Sequence, residues 1–186
     1  RPRMAAASAR RHTLARLAPA GIAIAAACTA AAAAPAASKP QHGQPTAQAL
    51  MHSRELWATI DVCNSPKQPN TVGIRGSMPG DGKPADKMYM SFALEYLNAA
   101  NQWAPLTSSS SGWVLIGDGS GARQGGRSFT IKPSHARPKL VLRGMVSFRW
   151  MRANRQFAHT TRPTTGGRQA LVGAEPAGYS AARCNL

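Results

Sequence analysis

KLVLRGMVSFRWMRANRQFAHTTR, residues 139–162, changes character at every second side chain. Leu140, Leu142, Gly144, Val146, Phe148 and Trp150 fall on one parity. Lys139, Arg143, Ser147 and Arg149 fall on the other, with Val141, Met145 and Met151 among them. A strand points successive side chains to opposite faces, so the pattern predicts one long strand with an apolar face and a wettable one. The tetrapeptide RANR interrupts it, and Asn154 tolerates the backbone of a tight turn. Gln156 to Arg162 then reads as the returning strand of a β-hairpin. The apolar face of such a strand needs a second layer to cover it.

Upstream, the same period recurs in short runs. ELWATIDVC (55–63) places Leu56, Ala58, Ile60 and Val62 together, and TVGIRGSM (71–78) does so with Val72, Ile74 and Met78. MYMSFALEYL (88–97) aligns Met88, Met90, Phe92, Leu94 and Tyr96. WAPL (103–106) is a short edge strand limited by Pro105, WVLIG (113–117) another strand, and RSFTIK (127–132) turns Phe129 and Ile131 inward. NSPKQPN, PGDGKPAD, LTSSSSG and GDGSGARQGG read as the loops between them. No stretch after the leader has a helical period. These segments predict an all-β, antiparallel two-sheet sandwich over residues 55–186, with an up-and-down barrel as the competing closure.

This order of strands resembles the immunoglobulin-like superfold in its fibronectin type III form, over roughly residues 55–165. Its clearest mark is the long penultimate strand joined to the last by a polar turn, RGMVSFRWMRANRQFAHTT. The central cysteine pair and tryptophan of antibody domains are not at those places. The arrangement is also similar to small uncharacterised secreted proteins of high-GC bacteria. The resemblance implies a sandwich and no particular activity.

The first 38 residues differ in kind. A basic stretch precedes GIAIAAACTAAAAAPAA (21–37), and Ala34-Pro35-Ala36 fits a cleavage site, which together predict a secretory signal peptide. Arg10-Arg11-His12-Thr13-Leu14 resembles a twin-arginine export signal. Ala25-Ala26-Ala27-Cys28 loosely resembles a lipoprotein processing site, so a lipid anchor through Cys28 is the alternative to release. Residues 39–54 lack periodicity and read as a flexible linker containing His42 and His52. With Cys28 in the leader, Cys63 and Cys184 remain, and an even count in an exported chain predicts one disulfide.

The chain carries a formal charge of +16. Five of its 23 basic residues and no acidic one lie in the leader, which leaves 18 basic against 7 acidic residues, a net +11. That balance attracts polyanions such as envelope polymers, without defining a site or a specific nucleic-acid contact. Arg143, Arg149, Arg152, Arg155 and Arg162 gather on the closing hairpin as a candidate basic strip. Tyr89, Trp103 and Trp113 are candidate stacking residues, and Trp57 also lies off its apolar parity. The seven acidic residues are thinly spread and no G-x-S-x-G elbow is present, so no catalytic residue, cofactor or metal is expected. GDGSGARQGG is followed by a strand instead of a helix, which argues against phosphate binding. The expected function is that of an exported, non-catalytic module that binds or supports at the cell envelope or beyond it, with an anionic envelope polymer, a polysaccharide or another extracellular protein as partner and no membrane span in the mature chain. A lectin-like domain for carbohydrate or an anionic polymer is the alternative, and a small secreted hydrolase the third reading.

Overall fold

From Gly43 onward, a short helix α1 (Ala47–Met51) leads into eight strands among the described residues. They are β1 (Trp57–Ser65), β2 (Gln68–Met78), β3 (Lys83–Leu97), β4 (Trp103–Gly119), β5 (Arg123–Thr130), β6 (Val141–Arg152), β7 (Arg155–Pro163) and β8 (Cys184–Asn185). The computed structural model describes residues 43–132, 139–168 and 171–186. The expected signal peptide, with Arg10, Arg11 and Cys28, lies outside the described residues, as do His42 and His135. No described helix is long and apolar enough to cross a membrane.

The strands form two antiparallel sheets that do not close into a barrel. One has the order β1-β2-β5; the other has the order β4-β3-β6-β7, with β8 also paired to β6. The alternation of β6 explains the layering. Leu142, Val146, Phe148 and Trp150 are all fully buried, and they face Ile60, Val72 and Ile74 of the smaller sheet within one core. Met88, Met90, Phe92 and Leu94 extend that core along β3. Gly144 occupies an inward position because the layers approach closely there: a Cβ on it would lie 2.7 Å from Thr164 Cγ2 and 2.9 Å from Ile74 Cδ1. The indole of Trp150 keeps its donor satisfied, since Nε1 donates to Pro79 O at 2.8 Å. The β6–β7 turn uses Ala153 and Asn154, both at positive φ, which matches the twist of a two-residue hairpin.

Three expectations change. First, WAPL, LTSSSSG and WVLIG are one strand, β4, paired along β3 through several register shifts. Serines keep it paired where the backbone bulges. Ser109 Oγ accepts from Leu94 N at 3.1 Å and donates to Leu106 O at 2.6 Å, and Ser111 Oγ accepts from Phe92 N at 3.0 Å. A hydroxyl that both accepts and donates replaces a missing ladder partner. Second, NSPKQPN and GDGSGARQGG are mostly strand: β1 meets β2 at Ser65 and Gln68, and only Ser120–Ala122 separate β4 from β5. Third, the expected linker over 39–54 is not loose throughout. Thr46 caps α1 by accepting from Ala49 N, Leu50 is buried against the core, and Arg162 donates to Met51 O at 2.8 Å. Five residues cannot hold a helix alone, so these tertiary contacts do.

The C-terminal tail closes the free edge of β1. Ile60 and Ala181 exchange backbone hydrogen bonds of 2.9 and 3.0 Å, and Glu175 N donates to Asp61 O at 2.9 Å. This cover buries Thr59 and Asp61, which lie off the apolar parity of β1. The predicted disulfide joins Cys63 to Cys184, with Cα atoms 5.5 Å apart. It links the edge strand of one sheet to a residue paired with β6 in the other.

Two measurements check this account. The bridge closes a loop of sequence separation 121, so its reduction should lower the unfolding free energy by about 4 kcal/mol in urea titrations with and without reductant. An unchanged midpoint would mean that the tail's backbone pairing suffices. Ser109→Ala should cost about 1–3 kcal/mol in the same titration, because Leu94 N–H would remain buried without an acceptor.

Candidate functional site

Pairing register decides which hairpin arginines share a surface. Even positions of β6 face the core, so Arg143 and Arg149 face outward with Ser147. Arg152 continues the inward parity past Trp150 and turns into one end of the sandwich. Arg162 stands opposite Val146 and holds α1. Arg155 is exposed beside the turn. The expected basic strip is therefore divided: two arginines lie on the outer face of the larger sheet, two reach inward structural partners and one lies at the tip.

Arg152 is largely neutralised where it sits. Its Nε donates to Asp86 Oδ2 at 2.7 Å and a terminal nitrogen donates to Asp81 Oδ2 at 2.6 Å. Its guanidinium also lies 4.3 Å from the Phe157 ring centroid. The two aspartates are 1% and 3% exposed. Burial, followed by the hydrogen bond to Asp86, raises the pKa of Asp81. Burial pushes Asp86 up as well, but the hydrogen bonds from Asp81 and Arg152 outweigh it and hold Asp86 below its ordinary value. Of the two, Asp86 therefore ionises more readily and Asp81 less readily than an ordinary aspartate. The acidic residues, thinly spread along the chain, give no sign of this pair, which the fold brings together through Arg152. Closed to solvent and bridged by an arginine, they hold the 79–86 loop and strand end to β6.

The outer face differs. Leu115, Tyr89, Arg149 and His159 are register neighbours across β4, β3, β6 and β7, and Trp113, Ser91, Ser147 and Thr161 form the next row. The Arg149 guanidinium carbon lies 4.2 Å from the Trp113 ring centroid and 4.8 Å from that of Tyr89. No described carboxylate forms an ion pair with it. Its Nε is buried without a partner. His159 meets the edge of Trp113, with ring centroids 5.9 Å apart. A hollow of about 160 Å³ beside this cluster is lined by Lys87, Tyr89, Arg149, Met151 and Asn154, among others. Trp113 is 41% exposed and Leu115 54% exposed, a large apolar pair next to a fixed cation.

Trp103 does not join this cluster. It pairs with Leu97, whereas Trp113 pairs with Ser91, a separation of six β3 residues or roughly 20 Å. Trp103 lies under Arg143 at 4.4 Å and near Arg183 at 5.4 Å, and Glu95 Oε2 holds Arg143 at 2.7 Å. The expected three-residue platform is thus two separate stations on one face. Trp57 stands elsewhere, 5.1 Å from Arg168. At the far end of the outer face, Asp118 accepts hydrogen bonds from the Ser120 hydroxyl and backbone and from Arg123, which lower its pKa to about 2. Sequence reasoning missed Lys87, Leu115 and His159 at this site. Their strand parity, matched to that of Tyr89 and Arg149, is the signal that places them.

No family model matches the chain, and no curated protein matches it. Among solved structures it is similar to the alkylpurine DNA glycosylase AlkC of Pseudomonas fluorescens bound to DNA containing an abasic site analog. That likeness has 15% identity, a TM-score of 0.31, and covers 59% of this chain and 29% of the other. It is also similar to a Bacteroides fragilis protein assigned as a beta-galactosidase, with 10% identity, a TM-score of 0.32 and coverage of 62% and 17%. The chain spans less than a third of either structure's length, and likenesses this faint carry no argument.

The unequal charges of the acidic pair have a testable sign. Asp86 has a lowered folded pKa, so its contribution to stability is present above 3.8 and is lost as pH falls below that value. Asp81 has a raised folded pKa, so its contribution is fullest below 3.8 and is lost as pH rises through the raised value. Neutralising the acid whose ionised form the fold favours costs more, so at neutral pH Asp86→Asn should lower the thermal midpoint more than Asp81→Asn. The penalty of Asp86→Asn should shrink as the pH falls below 3.8. Equal losses at neutral pH would contradict this ordering of the two acids.

Proposed function

We propose that this chain is an exported, non-catalytic binding module of the immunoglobulin-like class, which takes its ligand on the outer face of the β4-β3-β6-β7 sheet. The strand order supports the fibronectin type III form of that class, because the first, second and fifth strands oppose the third, fourth, sixth and seventh. In an antibody constant domain the fourth strand stands beside the fifth; here it stands beside the third. A disulfide tying the tail across both sheets supports folding in an oxidising compartment, which agrees with the leader read as a signal peptide.

One observation carries the assignment of the face. Arg149 is held between Trp113 and Tyr89, without a described carboxylate, on an otherwise solvent-facing sheet. The other outward arginine of β6, Arg143, is matched by Glu95. A cation fixed between aromatic rings and left unmatched is available to a ligand, and aromatic and arginine side chains together dominate binding surfaces.

Retention of the purified full chain on immobilised cell-envelope material is the test. The double variant Trp113→Ala/Arg149→Ser should elute at markedly lower salt than the unsubstituted protein. Arg155→Ser removes an exposed charge at the hairpin tip and should shift elution only slightly. Equal elution of the double variant and the unsubstituted protein would remove this face from the function.

A further inference from the structure

We propose that the Trp113–Arg149 station recognises an acidic sugar, a pyranose ring bearing a carboxylate or sulfate ester, within a polysaccharide chain. The inference rests on the reading that the outer face is the binding surface, and it names the ligand chemistry. Three features on that face point to it.

The first is the pairing of a flat apolar surface with an oriented cation. Trp113 and Leu115 expose carbon surface side by side. Pyranose rings present a face of C–H groups that rests on such a surface, with their hydroxyls at the rim. Beside it, the Arg149 guanidinium carbon lies 4.2 Å from the Trp113 ring centroid and 4.8 Å from that of Tyr89. The guanidinium's fork of donors matches an oxyanion, and no described carboxylate occupies it. Lys87 lines the same hollow and adds a second cation.

The second is the neighbourhood. The row beside the station carries Ser91, Ser147 and Thr161, and the Ser147 and Thr161 hydroxyls are 2.8 Å apart. Hydroxyls that both donate and accept suit a polyhydroxylated ligand. Further along the face, Trp103 under Arg143 gives a second aromatic station roughly 20 Å away, a span suited to a chain of several sugar rings.

The third is what the charges disfavour. A nucleic acid or polyphosphate needs several cations in succession along its backbone. Here Glu95 neutralises Arg143, and Asp118 stays ionised at the other end, opposite Lys87 in the pairing register. One or two unmatched cations between two carboxylates fit the single anionic group of one sugar ring better than the closely spaced charges of a polyphosphate.

Calorimetric titration of the full chain with four probes tests this: oligogalacturonate, dextran sulfate oligomers, fully methyl-esterified oligogalacturonate and inorganic polyphosphate. The expected result is binding of at least one acidic sugar and at least about tenfold weaker binding of the esterified probe and of polyphosphate. Which acidic sugar binds reports whether a carboxylate or a sulfate is read. Trp113→Ala and Arg149→Gln should each weaken the acidic-sugar affinity by about tenfold or more, with unchanged denaturation midpoints, and Arg155→Gln should leave it within about twofold. Equal affinity for acidic and esterified probes, polyphosphate binding as tight as sugar, or no effect of Trp113→Ala overturns the proposal. Failure of both acidic sugars also overturns it. In that case the envelope-retention comparison separates two conclusions: retention that still depends on Trp113 and Arg149 preserves the face as the binding surface, and retention indifferent to them discards both readings.

Discussion

Leu142, Val146, Phe148 and Trp150 must leave water together, and they stand on alternate positions of one strand. Burying each side chain of this kind contributes about 1.5–3 kcal/mol. A cation held over an exposed ring contributes about 0.5–1 kcal/mol. The inner face therefore decides the register, and the outer face follows from it. A slip of one residue would send Arg143 and Arg149 into the core and expose Phe148 and Trp150, at the cost of two buried charges. Because β3 and β7 pair with β6 in the same sense, Tyr89 and His159 arrive beside Arg149 without any instruction of their own. The surface cluster is a by-product of core packing that has been furnished with the right residue types.

A strand pair needs its edges managed, and this chain manages them unequally. The β1 edge is covered by the tail, whose backbone pairs at Ile60 and Asp61 and whose Cys184 is bonded back to Cys63. Near β7 the short helix α1 is held by Leu50 and Arg162. The long β4 is interrupted by bulges that serine hydroxyls bridge, which breaks up a flat edge against pairing with other chains. Covering β1 and breaking β4 leaves the broad outer face of the larger sheet open around Trp113 and Leu115.

Period-two alternation made the core of this fold legible. It identified the inward residues of β1, β2, β3 and β6, and the Asn154 turn and the cysteine count added the hairpin and the bridge. Alternation fails where a residue's partner is not on its own strand. Four serines in a row look like a loop, yet two of them, Ser109 and Ser111, accept from backbone donors of β3 in place of β4 carbonyls, a contact set by pairing and invisible in composition. Thr59 and Asp61 look solvent-facing until the tail, more than a hundred residues later, covers them. Leu50 is a single buried residue in a five-residue helix, too short for a period to appear. The arginines show the same limit at the site. Arg143, Arg149, Arg152 and Arg162 are one residue type on one hairpin, yet their partners are a glutamate, two aromatic rings, two aspartates and a helix carbonyl.

That difference in partners separates arginines matched by carboxylates or a carbonyl from one that is matched by neither. Arg152 bridges two carboxylates, so removing it would strand buried charge, and its role ends in the fold. Arg149 has lost much of its rotamer freedom between Trp113 and Tyr89, and its buried Nε has no acceptor. An unmatched buried donor costs about 1–3 kcal/mol, which the flanking rings offset only in part. Replacing the residue with an apolar one would relieve that cost without disturbing the inner face. On the proposed reading, an arginine kept in this position is oriented before the ligand arrives, and association then loses less entropy. The same rigidity sets Arg149 apart from the rest of the hairpin: five flexible arginines would make a diffuse attractive surface, whereas one clamped arginine beside open carbon surface gives its charge a direction.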